Sequence, residues 1–225
     1  MFWYKACQAL ILLKEVFVMD ENLNPLLNKK LSAGKIELTK EDVIQILGCI
    51  DEELRNEGLS ATAIIYGGCA MMLHGYDTRA TTDIDYIVKD VPLADFSRII
   101  DRVVEKSNPP FKRSLFDITM GVLIAEHFKL NELKELNLFS NLHVSVATVR
   151  QLLAMKLFSA RMGTEFHDLA DALHLAKELG LRSAIELKDT MLDYVEKTSV
   201  DKINKDARNP NAIDRFILEV EKRLV

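Results

Sequence analysis

Apolar residues at Val43, Ile44, Ile46, Leu47, Ile50 and Leu54 recur at the spacing that puts them on one face of an α-helix. Thr39 with Asp42 three positions on forms a capping box at its start, and Gly58 is its stop. The pattern then changes. Thr62 to Tyr66 is a short β-branched and aromatic run halted by Gly67-Gly68, after which Cys69 to Leu73 favours a helix ending near Gly75. A second strand is predicted from Thr81 to Val88, and Pro92 opens a segment leading into an amphipathic helix with Phe96, Ile99, Ile100, Val103 and Val104 on one face.

Asn108-Pro109-Pro110 breaks the chain, and Leu115 to Ile124 reads equally as a buried strand or a helix. A third strand is predicted at Leu142 to Val146, followed by a Thr148/Gln151 capping box and a helix to about Arg161. Gly163-Thr164 then turns the chain into a second helix carrying Phe166, Leu169, Ala170 and Leu173, which stops at Gly180. These two helices make an antiparallel hairpin, and 183–197 and 210–225 also read as helices. The expected fold class is α/β of the α+β kind, a small mixed sheet flanked by helices. An extension spans 1–38, the α/β domain 39–146 and a helical region 147–225.

Bulk properties narrow the setting. A chain of 225 residues, nearly half of them apolar, can bury a core. A formal net charge of −5 offers no overall positive field for duplex DNA or an anionic membrane. The apolar run Ala9 to Leu13 is broken at Lys14 and Glu15, too short for a bilayer span, and it lacks the basic flank and cleavage site of a signal peptide. It is expected to pack as a helix, and Met19 offers an alternative start. Cys7, Cys49 and Cys69 are odd in number and without metal-type spacing, which fits a reducing cytoplasm.

The chemistry concentrates between Ile64 and Val88. In a strand, side chains alternate faces, so Asp83 and Asp85 are expected to point the same way. Two such carboxylates repel each other unless a cation lies between them, and hard oxygen ligands suit Mg²⁺ or Mn²⁺. The competing reading puts both on an exposed edge strand, each solvated separately. The Gly67-Gly68 turn aims a helix N-terminus at the same end of the sheet, where a polyphosphate fits, although a double glycine is also an ordinary tight turn. No Lys-Ser/Thr follows it as in a P-loop, and no GxGxxG is present.

Taken together, Gly67-Gly68, Arg79, Thr82 and the triplet Asp83-Ile84-Asp85 resemble the first motif of DNA polymerase β-type nucleotidyltransferases, in the GG…R-x-T-x-D-x-D form of the AbiEii-like branch of abortive-infection and toxin–antitoxin proteins. Lys156 and Arg161 match a K-x4-R motif, and Asp168 and Asp171 a following D-x-x-D, so the resemblance runs over roughly residues 60–180. It implies a nucleotidyltransferase-like fold in which Asp83 and Asp85 bind two Mg²⁺ or Mn²⁺ ions that hold a nucleoside triphosphate. It also implies nucleotide contacts from Gly67, Gly68, Arg79, Thr82, Lys156, Arg161, Asp168 and Asp171. The acceptor is a protein hydroxyl, a tRNA end or a small molecule, and a cognate toxin or antitoxin is an implied partner. Gly68 stands where the usual motif has serine, so backbone N–H groups replace a hydroxyl at the γ-phosphate. The family's third carboxylate has no sharp motif here; Asp117, in an apolar segment, is the best candidate, with a helix cap or turn aspartate as the alternative.

Three alternatives remain beside this. Folding about Gly163-Thr164 brings Lys156 level with Asp171, so an inter-helix ion pair worth ~0.2–1 kcal/mol at an exposed site explains both residues without a ligand. Arg161 lies about 140° around the helix from Lys156 and points elsewhere. His167, Asp171 and His174 share one helix face, which reads either as a surface stripe or as a Zn²⁺ or Fe²⁺ site of a hydrolase. A nucleotide-binding or antitoxin-like module without turnover is the third alternative, favoured by the missing serine and the unplaced third carboxylate.

Overall fold

The structure, a computed structural model, describes residues 37–76, 81–107, 113–117, 124, 126–160 and 167–224. Residues 1–36 of the N-terminal extension, Arg79, Arg161 and Gly163-Thr164 lie outside these residues. Helix α1 (Lys40–Asn56) leads into strand β1 (Ala61–Ile65), helix α2 (Gly67–Leu73), strand β2 (Ile84–Lys89) and helix α3 (Leu93–Lys106). A 3-10 turn (Arg113–Leu115) precedes strands β3 (Phe116–Asp117), β4 (Lys134–Leu136) and β5 (Leu142–Val146). Helices α4 (Val149–Ser159), α5 (Asp168–Glu178), α6 (Ala184–Tyr194), α7 (Lys197–Asn204) and α8 (Ala212–Leu224) complete the described chain. The fold is mixed α/β, as the sequence pattern predicts.

The capping boxes form as expected. Asp42 N–H donates to Thr39 Oγ1 at 3.3 Å while Thr39 N–H donates to Asp42 Oδ2 at 2.8 Å, which satisfies two donors that the first turn of α1 leaves over. Thr148 and Gln151 repeat the arrangement at α4. Helix α1 buries Val43, Ile46, Leu47, Ile50 and Leu54, and its Asp51 carboxylate accepts the N–H groups of Ser140, Asn141 and Leu142 at 3.1, 2.6 and 2.8 Å. Three charge-assisted bonds thus pin the entry of β5 to α1.

The sheet runs β3-β2-β1-β5-β4. Strand β1 is antiparallel to β2 and parallel to β5, β2 is parallel to β3, and β4 is antiparallel to β5. The exits of β1 and β5 and the entries of β2 and β3 therefore gather at one end. Ala63, Ile65, Ile84, Tyr86, Phe116 and Leu142 meet Leu47 and Ile50 of α1 and Phe96 and Ile100 of α3 around a small apolar cavity. Alternation along β2 assigns Asp85 to the other face.

Several expectations need correcting. Strand β2 starts at Ile84 rather than Thr81, because Thr81 makes only an isolated antiparallel bridge to Leu38 before the ladder begins. It is an interior strand, with β1 and β3 on its sides, so the edge-strand reading falls for Asp85, while Asp83 lies before the strand. The double glycine belongs to the first turn of α2 instead of preceding it. The ambiguous segment resolves at its start into the 3-10 turn and the two-residue β3, while 118–123 lie outside the described residues. Strand β4 and helix α7 were not predicted; both are short, and both carry more charge than apolar pattern.

In the helical region, α4 packs against α5 and α6, and α8 covers α4, α5 and α6. Leu152, Leu153, Leu157, Leu175, Leu187, Met191, Ile213 and Phe216 form its centre. Contacts between α2 and α4, and a 2.8 Å hydrogen bond between His74 Nε2 and the Ala147 carbonyl, join it to the sheet. No helix among the described residues is long and apolar enough to cross a membrane.

Candidate functional site

Asp85 sits on the interior strand at the end of the sheet where α2 begins, and the Tyr66 N–H donates to its carbonyl at 3.2 Å. Gly67 is there for a steric reason. Its φ is +65°, and a Cβ added to it would stand 3.1 Å from the Asp85 carboxyl carbon and closer still to one carboxylate oxygen. Only glycine accepts both the backbone conformation and the approach. The expectation attached equal weight to Gly68, but φ is positive only at Gly67 of the two. Gly68 occupies an ordinary helical position in α2.

Asp83 is held differently. It precedes β2, and the Thr81 hydroxyl lies 3.1 Å from its carbonyl and 3.3 Å from its Oδ1. Thr81 is 4% exposed, whereas its neighbour Thr82 is exposed. The sequence reading chose Thr82 for the motif position; the residue that touches an aspartate is Thr81. The signal was in the spacing itself: counted from Arg79, R-x-T-x-D-x-D puts its threonine at Thr81 and its carboxylates at Asp83 and Asp85.

Both carboxylates are half-buried. Their field is legible at Cys69, whose thiol is pushed well above its usual range, first by complete burial and then by the charges of Asp85 and Asp83. The register of β2 and β3 sets Asp117 directly beside Asp85 on the neighbouring strand. Among the described residues no cluster of three or more His, Cys, Asp or Glu side chains is assembled for a metal; Asp83 and Asp85 supply two hard-oxygen groups of the kind Mg²⁺ and Mn²⁺ take.

The hairpin residues come together with one another. Lys156 Nζ lies 2.7 Å from Asp168 Oδ1 and 2.8 Å from Asp171 Oδ2, with side-chain exposures of 8%, 3% and 6%. Ser159 Oγ adds a 3.1 Å bond to Asp168 Oδ2. The ion pair expected between Lys156 and Asp171 is present, extended to Asp168, but it is buried, so the small value proper to exposed pairs does not apply. Both aspartates stand in the first turn of α5, where the helix dipole favours negative charge.

The His167–Asp171–His174 face does not assemble as a metal site. Asp171 turns to Lys156, His167 is exposed at the start of α5, and the His174 ring packs edge-on against Tyr76 at 4.9 Å. The Tyr76 hydroxyl donates to Glu178, and its pKa is raised by desolvation first and by that carboxylate second. This contact ties the loop after α2 to the last turn of α5, a link that sequence spacing did not show.

No family model, curated protein or solved structure matches the chain.

Proposed function

We propose that the chain is a metal-dependent nucleotidyltransferase, moving a nucleoside monophosphate from a nucleoside triphosphate to a hydroxyl acceptor. The observation that carries this reading is the fit of the Asp85 carboxylate against Gly67 at the start of α2, with Asp83 two residues away at the same end of the sheet. A glycine reserved for a carboxylate at a helix start brings acidic oxygens and backbone N–H donors into one small volume. Asp83 and Asp85 would hold a divalent ion, which when bound would supply charge neutralisation for a triphosphate and activate an acceptor hydroxyl. Asp117, at the register position beside Asp85, is the proposed third carboxylate and general base. The N–H groups of Gly67 and Gly68 stand in for the absent serine hydroxyl at the phosphates. Arg79 and Arg161 are the proposed further phosphate contacts. The resemblance supports a role in a toxin–antitoxin or abortive-infection system and a cytoplasmic setting.

A second reading is a nucleotide-binding module without turnover. It is favoured by Lys156, whose ammonium is engaged by two buried carboxylates instead of being presented as a phosphate ligand. The test follows the labels. With Mg²⁺ and nucleoside triphosphates labelled at the α or the γ phosphate, transfer releases pyrophosphate and leaves the α label on an acceptor. Binding with neither product identifies the module, and release of inorganic phosphate identifies a hydrolase.

A further inference from the structure

The two carboxylates at the entry of β2 are fixed by different means. Asp85 belongs to the strand ladder and lies against Gly67. Asp83 lies before the ladder, so strand pairing does not set its orientation. The group that reaches it is the Thr81 hydroxyl, 3.1 Å from its carbonyl and 3.3 Å from its Oδ1, on a side chain only 4% exposed. Thr81 is in turn anchored, because the Leu38 N–H donates to its carbonyl at 2.7 Å and Leu38 is itself buried. A continuous path thus runs from the start of the described chain, through Leu38 and Thr81, to Asp83.

We infer that Thr81 is a positioning residue for Asp83: its hydroxyl holds Oδ1, limits rotation of the carboxylate and leaves Oδ2 as the oxygen offered to a small hard cation. The inference rests on the reading of Asp83 as a metal ligand. Mg²⁺ and Mn²⁺ demand near-octahedral geometry, so a ligand free to rotate binds them less well than one held in place. Groups that hydrogen-bond to a metal ligand act in this way, and their removal typically weakens metal affinity about 10- to 100-fold. A threonine kept only for packing would tolerate valine, which has the same shape and no hydroxyl.

The test uses the full chain and Mn²⁺ alone, with free ion counted by electron paramagnetic resonance and folding checked by circular dichroism. Thr81→Val is expected to weaken Mn²⁺ binding about tenfold, and Thr81→Ser, which keeps the hydroxyl, to stay close to wild type. In an Asp83→Asn background Thr81→Val is expected to add nothing, because the residue acts only through that carboxylate. If Thr81→Val does not fold, Thr81→Ala reads the same quantity. Wild-type affinity in a folded hydroxyl-free variant overturns the inference, as does a loss of equal size in the Asp83→Asn background. Failure of the wild-type protein to bind Mn²⁺ would instead remove the metal site, and the role of Thr81 with it.

Discussion

The chain holds two pairs of aspartates in opposite ways. Asp168 and Asp171 are buried at the start of α5 and share the Lys156 ammonium, so the fold supplies their counter-charge. Asp83 and Asp85 are half-buried at the entry of β2, where a hydroxyl and a glycine hold them, and Asp83 forms no ion pair with any described residue. A carboxylate cannot be removed from water cheaply without a cation, so the first pair completes itself internally. The second is half-buried. The contrast is between a pair whose counter-charge is a buried lysine and a half-buried pair that we propose as a cation site.

The sharpest way to break the contrast is at Lys156. Lys156→Met removes the ammonium that two buried carboxylates share and is expected to cost about 3–5 kcal/mol of stability, read by denaturant melts. Adding Asp168→Asn should return part of that loss. A drop in triphosphate affinity with stability unchanged would move Lys156 from scaffold to site.

Next in size is Gly67. Gly67→Ala is expected to destabilise by about 2 kcal/mol, from a left-handed backbone that alanine dislikes together with the clash on Asp85. Part of the loss should vanish in an Asp85→Ala background, where the clash is gone. Gly68→Ala, at a helical position, should hold stability or raise it slightly. Equal losses at the two glycines would show that the carboxylate contact does not matter.

A smaller effect tests the burial of Cys69 beside Asp85 and Asp83. Because the folded Cys69 thiol is pushed above its ordinary value of 9.0, its contribution to stability is complete below about pH 9 and declines as pH rises further. One pH unit above that value the contribution lost is roughly 1 kcal/mol. Cys69→Ala should therefore flatten the alkaline end of the stability curve measured by urea melts from pH 8 to 10. An unchanged slope would separate Cys69 from this linkage.

Much of this was legible in the residues, for identifiable reasons. Thr39/Asp42 and Thr148/Gln151 announced α1 and α4 because a capping box is a local bond that needs no tertiary partner. The interior placement of β2 was not legible, since it depends on β3, two residues long and far along the chain. Lys134 and Glu135 hid β4, whose pairing with β5 uses backbone groups that any sequence carries. At the site, Asp83 and Asp85 stood out by type and spacing, but which glycine and which threonine served them depended on a φ angle and on a bridge to Leu38. The hairpin ion pair could be anticipated from the turn read at Gly163-Thr164, whereas its burial depends on tertiary packing that spacing does not show.

We propose that Asp83 and Asp85 hold a cation that arrives with a triphosphate. Isothermal titration with a nucleoside triphosphate, in Mg²⁺ and again in EDTA, tests it most directly on wild type, Asp83→Asn and Asp85→Asn. Binding by the wild type in Mg²⁺ alone is expected, with its loss in both variants and ligand-free melts within about 1 kcal/mol of wild type, since removing one of two neighbouring charges relieves repulsion. Binding that persists in EDTA, or in either asparagine variant, would contradict it.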